Sequence, residues 1–252
     1  MTKSRPKETR RIFRAVIKTA MLLVMPVAVT GQTGTVTVEV RLAGPAPDPK
    51  LLEVTVGTEF CGDEVVGRTV LVDNGMVASA AVSIEGLEGG VQPTEYGLSN
   101  VHCYFDPPVT VAGVGGTLLV TNDDDIMHNV HLTLRYDGDR RRSAGNIALP
   151  RAGITIRSTR ALRWPGVLEV KCDVHAWMHA MIVLFPHPYF SITDVGGAAT
   201  IKDVPTGSHT VRAWHEVFGE LTQVVTVSAD AVTPVSFVYS TSGSEAGRSE
   251  NP

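Results

Sequence analysis

Alternation of apolar and polar residues is the feature that most constrains how this chain can fold. Residues 33–42 place apolar side chains at every second position from Val36 to Leu42, which is the pattern of a half-buried β-strand. Similar short runs recur along the chain, and no stretch of convincing helical length interrupts them. The 24 Gly and 15 Pro residues supply the turns between the runs. The sequence therefore predicts an all-β protein.

Length and charge limit the domain number and the partners. The chain has 252 residues, more than the roughly 100–150 residues of the commonest single domain, so one large or two small domains are expected. The formal net charge is -4, which does not give the basic surface that nucleic-acid binding requires. We predict no nucleic-acid partner.

The N-terminus has the composition of a targeting segment. A basic region at residues 3–18 precedes an apolar run at residues 19–30, the order found in secretory signal peptides. The run is shorter than the roughly 17–25 residues that span a bilayer. We predict a signal peptide at residues 1–31, a periplasmic or otherwise exported protein, and no stable membrane insertion after cleavage. An uncleaved anchor and a twin-arginine signal at Arg10 and Arg11 are the alternatives.

Cysteine usage is informative in an exported chain. The three cysteines are Cys61, Cys103 and Cys172, so the chain holds either one disulfide and one thiol or three free thiols. We propose a bridge between Cys61 and Cys103, because export leads to an oxidising compartment. Cys172 is then the thiol left over. Its alternative role is that of a small buried apolar residue.

The residues around this thiol are typical of metal ligands. Cys172, His175 and Met178 recur at intervals of three between two apolar runs. Thiolate, imidazole and thioether donors suit copper, and two His, one Cys and a weak axial Met form the blue-copper arrangement. This stretch supplies three of those four ligands. The best candidate for the second His is His128.

The segment that contains His128 makes a family resemblance visible. The run Ile-Met-His-Asn-Val-His at residues 126–131, followed later by Cys-x-x-His-x-x-Met, resembles the cupredoxin family, and amicyanin-like and plastocyanin-like proteins most of all. The resemblance implies a Greek-key β-sandwich over residues 32–186 and one type 1 copper ion. It implies that the metal ligands are His128, Cys172, His175 and Met178, and that Asn129 ties the two ligand loops together. Ala176 departs from the family pattern, which usually has Pro there.

Several neighbouring residues have competing interpretations. Met181 could replace Met178 as the axial ligand, although its strand position favours the core. His131 lies three residues beyond His128 and is a weaker ligand candidate. His179 is expected to face solvent at the rim where a partner docks. The acidic run at residues 123–125 is expected to be a solvated turn because it lacks the spaced ligands of a calcium loop.

A second unit is expected after residue 186. Residues 187–240 contain further alternating strands and resemble carboxypeptidase regulatory-like, transthyretin-like modules, which implies a small second β-sandwich with a structural or adhesive role. Glycan or protein contact through this module is a weaker option. Residues 241–252 lack an apolar period and are predicted to be a disordered tail.

The preferred function follows from the ligand set. We predict an exported mononuclear type 1 copper protein that is not an enzyme and that carries single electrons between unidentified redox protein partners. The alternative is a non-redox binding or structural module, for glycan or protein, with a vestigial or repurposed copper site. A multicopper oxidase or nitrite reductase would need further His-rich sites, whereas the eight His residues supply one ligand set.

Overall fold

The computed structural model describes residues 1, 31–136, 138 and 140–241. Strands make up 58% of it and helix 2%. The elements in chain order are β1 (Thr33–Ala43), β2 (Leu51–Glu53), α1 (Thr58–Cys61), β3 (Glu64–Val66), β4 (Val72–Asp73), β5 (Met76–Val77), β6 (Ala81–Ile84), β7 (Glu95–Val101), β8 (Tyr104–Asp106), β9 (Val109–Gly113), β10 (Thr117–Asn122), β11 (His128–Tyr136), β12 (Arg140–Leu149), β13 (Ile154–Ser158), β14 (Gly166–Lys171), β15 (His179–Phe185), β16 (Phe190–Ile192), β17 (Ala198–Pro205), β18 (Gly207–His215), β19 (Gly219–Val227) and β20 (Val232–Ser240). The predicted all-β class is confirmed.

The first sandwich consists of two sheets that enclose one apolar core. One sheet has the strand order β13-β10-β7-β8, and the other has the order β12-β11-β14-β15-β9. Alternate residues of β11, from Val130 to Leu134, point into this core, where they join Phe105, Leu118 and Ile182. Apolar alternation on β11 thus fixes which side chains face inward.

The second sandwich pairs two further sheets. The order β17-β1-β5-β4, with β20 also paired to β1, forms one sheet, and β16-β6-β18-β19 forms the other. Their shared core includes Val38, Ile84, Ile201 and Phe237.

Strand β15 explains how the two sandwiches meet. It is buried along nearly its whole length, because Ile182 faces the first core while Met181, Val183 and Phe185 belong to a separate cluster that includes Ala81 of β6. A strand buried on both faces has a continuous apolar sequence instead of an alternating one.

The strand pairing departs from the predicted division at residue 186. Strand β1 lies antiparallel to β17 and parallel to β20, and β6 pairs with β16 and β18. Strands from the predicted domain at residues 32–186 therefore complete the second sandwich, and residues 187–240 do not form it alone. Alternation indicates a half-buried strand, but it does not reveal the partner strand, which can lie far away in sequence.

The ends of the chain fall outside this description. The predicted signal peptide at residues 1–31 and the predicted tail at residues 241–252 lie outside the described residues, except for Met1, Gly31 and Thr241. Among the residues that are described, no helix is long and apolar enough to cross a membrane.

Candidate metal centre

Neighbouring strands bring the two predicted ligand segments together. Strands β11 and β14 are antiparallel partners, with His131 opposite Lys171. In an antiparallel pair the start of one strand lies beside the end of the other. His128, the first residue of β11, therefore meets Cys172, which directly follows β14.

Three donor atoms converge at this point. Nδ1 of His175 lies 2.9 Å from Nδ1 of His128 and 3.6 Å from Sγ of Cys172. The three donor atoms all lie within 4.8 Å of one another, and the three side chains are buried. Cys172 carries a free thiol, as predicted. The group could hold a metal ion, since donors so close together can all reach an ion about 2.0–2.3 Å from each of them.

The predicted axial ligand lies on the same loop. The backbone N–H of Met178 donates to the carbonyl of His175 at 3.0 Å and closes the turn. The Met178 side chain is buried in the same core as Cys172, whereas Met181 belongs to the cluster between the sandwiches. This placement agrees with Met178 as the axial residue, and its role as a ligand stays a prediction.

Asn129 holds the two ligand segments to each other. Its Oδ1 accepts the backbone N–H of Asp173 at 2.7 Å and the thiol of Cys172 at 3.3 Å. Its Nδ2 donates to Oδ2 of Asp173 at 2.8 Å. The predicted tie between the two loops is confirmed, because the Asn129 side chain hydrogen-bonds both Cys172 and Asp173.

His131 takes part in this tie and not in the donor group. Its Nδ1 hydrogen-bonds Oδ1 of Asp173 at 2.9 Å, and Nδ2 of Asn146 donates to the other oxygen of the same carboxylate. His131 is therefore held by the Asp173 carboxylate, which Asn129 also contacts.

The acidic run before His128 contains a residue that sequence reasoning missed. Asp124 is 2% exposed, so the predicted solvated turn is wrong at this position. Its Oδ2 accepts Nε2–H of His128 at 3.0 Å and the backbone N–H of Cys103 at 2.8 Å, while Oδ1 accepts the backbone N–H of His102. The available sequence signal is an Asp four residues before the candidate ligand His128. The carboxylate fixes the tautomer that leaves Nδ1 of His128 free as a donor atom to a metal.

Burial favours the neutral form of both imidazoles. Burial lowers the pKa of His128, although the adjacent Asp124 opposes that shift. Burial, followed by the neighbouring His128 ring, lowers the pKa of His175 to about 4. Metal ligation requires the deprotonated imidazole, so these low pKa values favour ion binding.

A short segment covers His175. Gly57 precedes α1 with a φ of +74°, and a Cβ added to it would lie 3.4 Å from Nε2 of His175. The predicted disulfide between Cys61 and Cys103 is present and joins positions 42 residues apart. It fastens α1 to the turn whose N–H groups bind Asp124. The sequence indicates the bridge, but it does not indicate that this segment covers the imidazole.

Trp177 packs against the ring of His175. The two ring centroids lie 5.1 Å apart, and the indole N–H donates to the carbonyl of Cys103 at 3.1 Å. His179 does not face solvent as predicted, because it is half-buried and its Nε2 bonds Oε1 of Glu216 at 2.6 Å. Contacts from distant segments thus enclose the ligand loop.

Comparison with known proteins adds structural neighbours but no family assignment. No family model and no curated protein matches the chain. Solved structures similar to it include the Cu-containing nitrite reductase NirK from Thermus scotoductus SA-01, at 18% identity and a TM-score of 0.30, covering 40% of this chain and 24% of that one. The chain therefore spans about a quarter of that enzyme's length.

Two smaller proteins are also similar. A purple cupredoxin from Nitrosopumilus maritimus is 18% identical, with a TM-score of 0.27, covering 35% of this chain and 98% of that one. Auracyanin A from Chloroflexus aurantiacus, a "blue" copper protein, is 12% identical, with a TM-score of 0.31, covering 37% of this chain and 100% of that one. The structural neighbours are thus cupredoxins at low identity and coverage.

Proposed function

We propose that the protein is an exported mononuclear type 1 copper protein that carries single electrons between redox partners. The observation that supports this function most strongly is the convergence of two imidazole Nδ1 atoms and one free thiol in a buried group. Sulfur and imidazole donors with a thioether nearby match copper better than the oxygen-binding metals.

Each chain residue has a defined part in this proposal. His128 and His175 would hold copper through neutral imidazoles, Cys172 would hold it through its thiolate, and Met178 would add a weakly bound thioether sulfur. Copper held by such donors exchanges one electron between Cu(I) and Cu(II). The β-sheet and the Asn129 amide hold the donors in place, so little rearrangement is needed when the charge changes.

Burial favours electron transfer over turnover of a bound substrate. The exposed fractions are 0% for His128, 4% for Cys172 and 2% for His175, so a substrate has no direct access to the donor atoms. An electron needs no such access. The redox partners stay unidentified, and the protein would meet them outside the cytoplasm.

Export has independent support from the disulfide. A bridge between Cys61 and Cys103 persists in oxidising compartments such as the periplasm and is rare in the cytosol. Cleavage of residues 1–31 is a further part of the proposal, and so is a carboxypeptidase regulatory-like identity for the second sandwich, which residues 187–240 build together with β1 and β4–β6. Mass spectrometry of secreted protein tests the cleavage directly.

Protein-film voltammetry tests the electron-carrying function. We expect one reversible one-electron wave from the copper-loaded protein and none from a Cys172→Ser variant that keeps its fold by circular dichroism. Met181→Leu serves as a matched control, because Met181 is buried outside the donor group. Tight copper binding without any reversible wave in the unmodified protein would rule out the electron carrier.

A further inference from the structure

A small cavity lies beside Trp177 and does not include His128, Cys172 or His175 among its lining residues. Its volume is about 230 Å³. Its lining residues are Lys50, Leu52, Gly67, Arg68, Thr69, Tyr104, Phe105, Pro108, Val109, Trp177, His179 and Glu216. Engineered apolar cavities of about 150 Å³ bind benzene, so this cavity has room for one substituted aromatic ring.

The cavity communicates with the metal centre through one side chain. Trp177 lines the cavity and also packs against His175, with the ring centroids 5.1 Å apart. The bond from its indole N–H to the carbonyl of Cys103 fixes the ring in this position. A molecule in the cavity would therefore contact the neighbour of a predicted ligand, while His175 itself stays covered by Gly57.

The lining defines the chemistry of a ligand. Leu52, Phe105 and Val109 form an apolar wall that suits a planar ring. Lys50 makes no ion pair in the described part of the chain, whereas Arg68 is already paired with Asp106 at 2.9 Å. An unpaired lysine among largely apolar lining residues favours a ligand with a carboxylate.

The hydrogen-bonded pair of His179 and Glu216 also lines the cavity. Oε1 of Glu216 is bound by His179, and the second oxygen of the same carboxylate can accept a further hydrogen bond. Such an acceptor favours a hydroxyl group on the ligand. A larger cleft of about 720 Å³ near Arg212 is the weaker candidate, because Glu85 and Glu220 already pair with that arginine.

We propose that this cavity binds a small aromatic carboxylate that carries a hydroxyl group. The carboxylate meets Lys50, the ring packs against Trp177, and the hydroxyl donates to Glu216. Binding of this ligand goes beyond electron transfer and does not require the metal. The ligand-binding proposal and the copper proposal can therefore fail independently. It would place a small aromatic molecule one side chain away from His175.

NMR of the indole N–H groups tests the proposal, with 4-hydroxybenzoate as the probe. The chain has three tryptophans, and Trp177→Phe identifies the Trp177 signal. We expect a saturable shift of that signal in metal-free protein and in the Cu(I) form, with no parallel shift of exposed Trp164. Lys50→Gln should weaken binding about three- to tenfold, since it removes one charged contact. The exposed Lys202→Gln control should change nothing.

Two further experiments test whether the ligand occupies the cavity and whether its carboxylate contributes to binding. Leu52→Trp, which fills the cavity, should abolish the shift while the other indole signals show that the fold is kept. The neutral 4-hydroxybenzyl alcohol should bind more weakly than the acid. The proposal is wrong if the Trp177 signal does not saturate, if Trp164 shifts in parallel, if Lys50→Gln binds as well as the unmodified protein, or if the alcohol binds equally well.

Discussion

The carboxylate of Asp124 accepts a hydrogen bond from Nε2 of His128 at 3.0 Å, and both side chains are buried. This contact orients the imidazole so that Nδ1 faces Cys172 and His175. The same carboxylate is held by the backbone N–H groups of His102 and Cys103. A buried acid thus sets the direction of the His128 imidazole, the first predicted ligand.

Replacing Asp124 by Asn should weaken copper binding. The amide keeps the shape but loses the charge and one acceptor atom, and loss of such a partner of a ligating His typically costs about 10–100-fold in metal affinity. Competition against a chelator measures the change. The neighbouring Asp125→Asn is the control, because Asp125 is exposed. Equal affinities for the two variants would contradict the orienting role of Asp124.

Met178 and Met181 should differ in their effect on the metal centre. Met→Leu conserves volume and usually costs less than about 1.5 kcal/mol, so both variants should fold. We expect Met178→Leu to change the reduction potential and the visible spectrum, because it removes the axial sulfur. Met181→Leu should leave both unchanged. A spectral change in Met181→Leu alone would reassign the axial ligand.

Gly57 and Gly62 offer a matched test of the cover over His175. Both have a positive φ, of +74° and +81°, so a side chain strains the backbone at each position by roughly 1–3 kcal/mol. A Cβ at Gly57 would approach Nε2 of His175, whereas nothing lies within 4 Å of one at Gly62. Gly57→Val should alter the spectrum of the copper-loaded protein, and Gly62→Val should only reduce stability in urea. If both spectra stay unchanged, the segment does not cover the imidazole.

A buried histidine away from the metal centre should make stability depend on pH. Burial lowers the pKa of His215 to about 4 from 6.5. Between these values the unfolded chain takes up a proton that the folded chain does not, so stability present above pH 6.5 is lost as the pH falls toward 4. The loss from this group is about 3 kcal/mol.

Urea unfolding of metal-free protein at several pH values measures this dependence. His215→Asn keeps an acceptor for the backbone N–H of Val217 but cannot be protonated. Its stability should therefore fall less on acidification than that of the unmodified protein. An identical pH slope for the two proteins would show that His215 does not contribute.

The ligand loop could be predicted from sequence because its information is local. Cys172, His175 and Met178 lie at fixed intervals between two adjacent strands. The setting of Cys172 among His and Met residues leaves Cys61 and Cys103 as the predicted disulfide pair. The all-β class followed from alternation alone.

The surroundings of the loop could not be predicted, since they depend on contacts between distant residues. Asp124 is buried only because the turn at His102 and Cys103 supplies its hydrogen bonds. Strand β1 could have joined any sheet with a free edge, and its pairing with β20 is set by the second core. The residues around Gly57 in the sequence do not indicate that it lies over His175.

The visible absorption spectrum of the Cu(II)-loaded protein tests the central claim most directly. A type 1 centre built from Cys172, His128 and His175 predicts an intense thiolate-to-copper charge-transfer band at one copper per chain, and predicts its loss in a folded Cys172→Ser variant. A spectrum without an intense visible band, or one that survives in Cys172→Ser, would contradict it.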